Sequence, residues 1–168
     1  MPKFRILTAS VAAALTFSIA LVAGAPAATA AEKPLVVVVT HAPLAPTAVV
    51  GSGLGTVRTF YVPIRVDGKA SPGSYLTGTL TTVATGLESN RELRAANLTI
   101  VVGKDDNQLV IGGLSAYPAD GSTLAPGQQA TRPVIGGSGI YDGARGSVVS
   151  TNLGERGWRH VFRVTVLK

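Results

Sequence analysis

The chain has 168 residues, 15 Lys and Arg against 9 Asp and Glu, a net charge of +6, 20 glycines, 10 prolines and no cysteine. Without a thiol, disulfides, Fe–S clusters, cysteine-ligated zinc and thiolate catalysis are excluded. The arginines are scattered rather than blocked, which argues against nucleic-acid binding and predicts a solvated, mildly basic surface.

The first thirty residues read as an export signal. Lys3 and Arg5 give a positive start, an apolar run from Ile6 to Val22 follows, and Ala28-Thr29-Ala30 offers small residues for cleavage. The run is short for a membrane anchor, since a span needs ~17–25 residues, and it contains Thr8, Ser10, Thr16 and Ser18. Cleavage removes two positive charges, so the secreted chain from Ala31 to Lys168 carries +4 instead of +6. No second apolar stretch reaches spanning length, so no membrane contact is expected after cleavage. The remainder suits one domain, with a strand and a flexible segment expected over 31–56 and the folded domain over 57–168.

Short runs rich in Val, Thr, Ile and Leu, separated by Gly and Pro, predict strands and turns. Eight strands are expected: Leu35–Thr40, Val57–Val66, Tyr75–Ala84, Asn97–Val102, Leu109–Ser115, Arg132–Ile135, Ala144–Thr151 and Trp158–Leu167. The second places Phe60, Val62, Ile64 and Val66 on one face, and Thr59, Tyr61 and Arg65 on the other. Pro63 lacks an N–H, so this strand is expected to carry a bulge or a free edge there. Reversals are expected from Asp67-Gly68 through Pro72-Gly73, at Lys104-Asp105-Asp106-Asn107 and at Gly154-Glu155-Arg156-Gly157. Glu88–Ala96 reads as a loop holding at most one helical turn. The last strand sets Trp158, His160, Phe162, Val164 and Val166 on one face. An all-β sandwich or closed barrel follows.

The polar constellations exclude more than they assign. Gly51-Ser52-Gly53-Leu54-Gly55 and Gly136-Gly137-Ser138-Gly139 have neither dinucleotide nor P-loop spacing, and neither opens a helix. His41 and His160 are the two imidazoles, and no H-x-x-x-H or H-E-x-x-H spacing marks a metal site. No G-x-S-x-G elbow occurs, and most acids fall in turns rather than pairing for glycoside hydrolysis. His160 alternates with Trp158 and Phe162, which points it inward, either as a satisfied core histidine or as a pocket acid or base.

The segment Val134-Ile135-Gly136-Gly137-Ser138-Gly139-Ile140-Tyr141-Asp142-Gly143-Ala144-Arg145-Gly146 is too glycine-dense for ordinary loop filler. It resembles the pattern of dirigent and allene-oxide-cyclase-like barrel proteins: an apolar pair, Gly-Gly-Thr-Gly, an aromatic residue and Ala-Arg-Gly. Leu109-Val110-Ile111-Gly112-Gly113 is similar to the strand before that family's long loop. The likeness is specific over Leu109–Thr151 and loose over Val57–Lys168. Two positions depart from the pattern: His41-Ala42 stands where an early strand usually ends in His-Asp, and Ile140 where many members carry a polar residue.

The resemblance implies an eight-stranded antiparallel, calycin-like β-barrel, often dimeric or trimeric, that holds an apolar or phenolic small molecule without a cofactor. It also implies that Arg145 lines the pocket. The expected interior set is Tyr61, Arg65, Tyr75, Arg145, Trp158, His160 and Phe162, with Arg145 and His160 as candidate catalytic groups and no metal. Three functions remain open: a secreted binding barrel that guides coupling or cyclisation of its ligand, a cofactor-free cyclase or isomerase, and a non-catalytic extracellular or cell-envelope module.

Overall fold

A computed structural model describes residues 34–120 and 123–167. The export signal lies outside the described residues. Ten strands are present: β1 (Leu35–His41), β2 (Ala48–Val50), β3 (Val57–Val66), β4 (Lys69–Leu87), β5 (Arg91–Val102), β6 (Lys104–Ile111), β7 (Leu114–Pro118), β8 (Gln129–Ser138), β9 (Arg145–Asn152) and β10 (Trp158–Thr165). Two short 3₁₀ turns, Gly139–Tyr141 and Gly154–Arg156, are the helical elements among the described residues.

The strands close into an eight-stranded antiparallel barrel, in the order β1-β10-β9-β8-β6-β5-β4-β3, with β3 returning to β1. Closure rests on the pairs Val39 with Val66 and Thr40 with Arg65. Asp67 reinforces it, because its N–H donates to the Val38 carbonyl at 2.7 Å and its carboxylate accepts from the Val38 N–H at 3.0 Å. β1 is therefore an integral stave, and the barrel begins at Leu35 rather than at Val57. β2 continues the same stave alongside Val57–Thr59 of β3, so residues 42–47 form an excursion from the wall.

β6 and β7 share a second broken stave along β5, with Leu98 facing Ile111 and Ala95 facing Leu114. The break at Gly112-Gly113 has a steric cause. Gly113 has φ +84°, and a Cβ there would lie 2.7 Å from Pro133 Cδ, so glycine alone lets β8 approach. The expected bulge at Pro63 is present as a register shift between Pro63 and Arg65.

Three local expectations are corrected. Glu88–Ala96 is not a loop with a helical turn. The chain reverses at Ser89-Asn90, both in the left-handed region, and enters β5 at Arg91. The hairpin expected at Lys104–Asn107 turns one step earlier, at Gly103, and those four residues already belong to β6. Asp67-Gly68 reverses the chain alone, while Pro72-Gly73 lies inside β4.

Alternate residues point inward, and the interior divides into two halves. One half is dry and apolar, packed by Val37, Ile64, Ile100, Leu109, Val148 and Phe162, all at most 4% exposed. Each large side chain buried there contributes ~1.5–3 kcal/mol. The glycine-dense segment closes this end: Gly136, Gly137 and Ser138 finish β8, the 3₁₀ turn buries Tyr141, and Ala144 is fully buried after it. The other half is open and sets buried charged groups among aromatic and aliphatic ones.

Candidate functional site

At the open end β1 and β9 finish while β3, β8 and β10 begin, and their inward residues surround a cavity of about 120 Å³. Phe60, Tyr117 and Trp158 supply aromatic walls, and Leu76, Leu80 and Leu98 supply aliphatic ones. Leu44 and Pro46, from the excursion between β1 and β2, frame the mouth with Thr123. The polar groups facing the space are Arg58, Arg94, Arg132, His41, His160 and Ser150. All six are buried.

Two of the guanidiniums share one carboxylate. Glu92 accepts from Arg94 Nε at 2.6 Å and lies 3.4 Å from Arg58 Nη2. Thr82 knits the cluster by accepting from Arg58 Nη1 at 2.9 Å and donating to Glu92 at 3.2 Å. Burial first, and then the Arg94 charge, push the Arg58 guanidinium below the usual arginine range, while Glu92 pulls the other way. Arg94 also lies over the Tyr117 ring, 4.4 Å from its centroid.

Arg132 is held differently. Its Nη2 donates to the Tyr117 hydroxyl at 2.8 Å, but its buried Nε–H meets no acceptor among the described residues. The ion pairs among those residues engage Arg58 and Arg94 and leave Arg132 out. A buried cation without a counter-charge among the described residues is costly.

The imidazoles form a second device. Trp158, His160 and His41 stack in sequence, with ring centroids 6.2 and 5.1 Å apart. His41 Nδ1 sits 2.7 Å from the Ala42 carbonyl, which only accepts, so Nδ1 carries the hydrogen. His160 Nε2 lies 3.0 Å from His41 Nε2, and His160 Nδ1 lies 2.8 Å from Ser150 Oγ. Burial lowers the pKa of both rings; His160, with His41 and Arg132 also opposing its charge, falls to about 3. Burial favours the neutral form of both rings, and with both neutral one tautomer set satisfies every bond: Ser150 donates to His160, His160 donates to His41, and His41 donates to the Ala42 carbonyl.

Gly157 sets this geometry by bringing the start of β10 against the end of β1. It has φ +84° and ψ −135°, and a Cβ there would collide with the His41 carbonyl oxygen. Gly157→Ala is expected to lower stability by at least ~1–3 kcal/mol from backbone strain, read by thermal unfolding.

Of the residues the sequence nominated, Trp158 and His160 face the cavity. Phe162 points inward but is fully buried in the dry half. Tyr61, Arg65, Tyr75 and Arg145 are not interior residues. Tyr61 is 57% exposed and packs on Tyr75 outside the barrel, with centroids 5.3 Å apart. Tyr75 donates to Asp105 at 3.2 Å, and Arg65 to the Gly68 carbonyl at 2.8 Å. Arg145 is exposed and turns back to its neighbour's carbonyl, Ala144, at 2.7 Å. Arg145 and His160 therefore share no interior space.

The reason is parity. In β3 the apolar face of Phe60, Val62 and Ile64 is the inner one, so Tyr61 and Arg65 lie outside. In β9 the inner residues are Val148, Ser150 and Asn152, and Arg145 falls on the outer register. The same rule finds what sequence reasoning missed. Arg58 precedes Phe60 by two, Arg132 precedes Val134 by two, and Arg94 precedes Leu98 by four. The expectation that the arginines are solvated fails at these three positions.

No family model and no curated protein matches the sequence. Among solved structures, the chain is similar to a pyocyanin demethylase at 18% identity and TM-score 0.55, over 79% of this chain and 99% of that one. Two pterocarpan synthase dirigent proteins are also similar. One has 15% identity and TM-score 0.56 over 85% of this chain and 95% of its own. The other has 14% identity and TM-score 0.54 over 80% and 95%.

Proposed function

We propose, from the dirigent-like barrel into which this chain folds, that the protein is an exported binder of a planar aromatic molecule bearing an acidic hydroxyl or carboxylate. The observation that carries this reading is Arg132, a buried guanidinium without a counter-charge among the described residues, set in an aromatic-walled cavity. The ligand's acidic group pairs with Arg132, and its ring packs between Phe60, Tyr117 and Trp158. Size limits the fit. An engineered cavity of about 150 Å³ admits benzene, so about 120 Å³ holds roughly one ring, and anything larger extends past Leu44 and Pro46. Solved barrels of this fold are named for small-molecule chemistry, on pyocyanin and pterocarpan, which supports the reading. Export rests on Lys3, Arg5 and the apolar run after them.

Trp158 is the sole tryptophan and reports occupancy. Titration with 4-hydroxybenzoate is expected to change its fluorescence. Arg132→Met is expected to weaken that binding by ~2–5 kcal/mol, the range for truncating one partner of a buried charge pair, and to change the affinity for the neutral 4-hydroxybenzamide little. The same variant is expected to melt higher, because an unpaired buried charge is replaced by an apolar chain of similar length. Equal binding of both probes to both proteins, or a silent Trp158, would overturn the reading in favour of a structural module. Native mass spectrometry of the secreted protein reads any retained ligand and the number of subunits.

A second reading, a cofactor-free isomerase or cyclase, is favoured by the hydrogen bond between Ser150 and the uncharged His160.

A further inference from the structure

We propose that Ser150, His160 and His41 form a proton relay that removes the acidic proton of the bound ligand and stores it on His41. The inference rests on the preceding reading that the cavity takes a hydroxyaromatic or enolic molecule.

The tautomers leave Ser150 in a defined state. Its hydrogen is committed to His160 Nδ1 at 2.8 Å, so what it presents to the cavity is an oxygen lone pair. A ligand hydroxyl donating to that oxygen extends the chain to four groups, all at hydrogen-bond separations. The transfer balances atom by atom. The ligand O–H breaks and its proton bonds to Ser150 Oγ. The original Ser150 hydrogen moves to His160 Nδ1. The His160 Nε2 hydrogen crosses 3.0 Å to His41 Nε2. His41 then carries hydrogens on both nitrogens and still donates to the Ala42 carbonyl, 2.7 Å away. The bonds from ligand to Ser150, Ser150 to His160 and His160 to His41 survive with their directions reversed and the bond from His41 to Ala42 keeps its own, so no side chain needs to move.

Two features give the transfer its direction. His160 never keeps the charge, because it gives up one hydrogen as it gains another, which suits a ring buried deeper than its partner. Burial disfavours charge on both rings. The hydrogen bond to the Ala42 carbonyl offsets part of that at His41 and nothing offsets it at His160, so of the two His41 is the better place for the proton. Meanwhile the anion left on the ligand meets Arg132, which is close enough to oppose a charge on His160. Arg58 and Arg94 are already engaged by Glu92, and Arg94 shares the Tyr117 ring with Arg132. The ligand class is therefore one whose conjugate base is delocalised. Returning the stored proton to a different atom of that anion completes a tautomerisation with no oxidant, reductant or cofactor.

The test uses 4-nitrophenol, a one-ring probe whose absorbance separates phenol from phenolate, with the mature protein in weakly buffered solution below the probe's own pKa. Phenolate absorbance, Trp158 fluorescence and proton release to a pH indicator are followed together. In the wild type, phenolate is expected to appear with no matching proton release, because the proton stays on His41. In Ser150→Ala and His41→Gln, the bound probe is expected to be less acidic by roughly tenfold or more, one unit of pKa, or to release its proton to solvent one-for-one. Release of that kind in the wild type, or variants that behave like the wild type, overturns the relay while leaving ligand binding intact. Failure of the probe to bind at all, with Trp158 unperturbed, removes the binding reading and the relay with it. Circular dichroism of each variant checks that the barrel is intact, and Ser150→Thr, which keeps the hydroxyl, is expected to restore the wild-type pattern.

Discussion

Glu92→Ala is expected to lower the unfolding free energy by ~3–5 kcal/mol, the usual result of breaking a buried ion pair from one side. Glu92 is 3% exposed, and Arg58 and Arg94, which it serves, are 7% and 2% exposed. Removing it strands two guanidiniums 2.6 and 3.4 Å from an absent charge. It also takes the acceptor from Thr82, which is itself 1% exposed. Most domains have only ~5–15 kcal/mol in total, so the variant retains a folded state with a large part of its stability gone. Urea unfolding followed by Trp158 fluorescence measures the loss. Adding Arg58→Met and Arg94→Met to Glu92→Ala is expected to recover much of it, since replacing a whole buried cluster by apolar chains is often neutral or better. A triple variant no more stable than Glu92→Ala alone would show that the arginines contribute packing rather than charge.

Acid is expected to unfold the barrel through His160. Unfolded, its imidazole titrates near 6.5; folded, burial holds it down to about 3. Between those values the unfolded chain binds the additional proton, so stability rises with pH across the window and falls as pH drops through it. Above about 6.5 the residue contributes no pH dependence. By pH 4 the penalty from this group is roughly 3 kcal/mol. His41 adds to it in the same direction, its pKa being lowered chiefly by burial and partly restored by the Ala42 carbonyl. Carboxylates contribute to acid unfolding as well, so the informative quantity is a difference. His160→Gln retains a hydrogen-bonding side chain toward Ser150 and His41, and is expected to flatten the slope of stability against pH between 6 and 4. An unchanged slope would place the acid lability elsewhere.

The strand framework was legible because the apolar half of the barrel obeys the simplest pattern. Val57–Val66 was bounded correctly, since Phe60, Val62 and Ile64 alternate with polar neighbours and Pro63 marks its own bulge. Trp158, His160 and Phe162 were set inward on one strand for the same reason. The glycine-dense segment identified the fold, and the structure explains its composition: Gly137 lies where a Cβ would press on the Tyr141 carbonyl and on Ala144. That motif turns the chain at the closed end. It does not line the cavity, which is why Arg145 beside it is a surface residue.

The open half was misread because its interior is charged. Glu92, Arg94 and Ala96 alternate inward as strictly as any strand, yet a pattern of charged inner residues looks like a solvated loop, and so Glu88–Ala96 was expected to be irregular. Arg58 and Arg132 stand in expected strands, but the scatter of the positive charges reads as a solvated surface, so their inward face is not expected. Local sequence determined the strands, most of the turns and the dry core, because apolar burial follows residue type and period two. Only the closed barrel decided the inner face of the strands whose inward residues are charged or whose outer face carries aromatics, since β1 had to meet β3 before those registers had an inside. The tertiary structure alone also brought His41 to His160, 119 positions apart, and set Arg132 against Tyr117 without a counter-charge among the described residues. A buried charge is tolerable only in view of its partners, and those partners come from other strands.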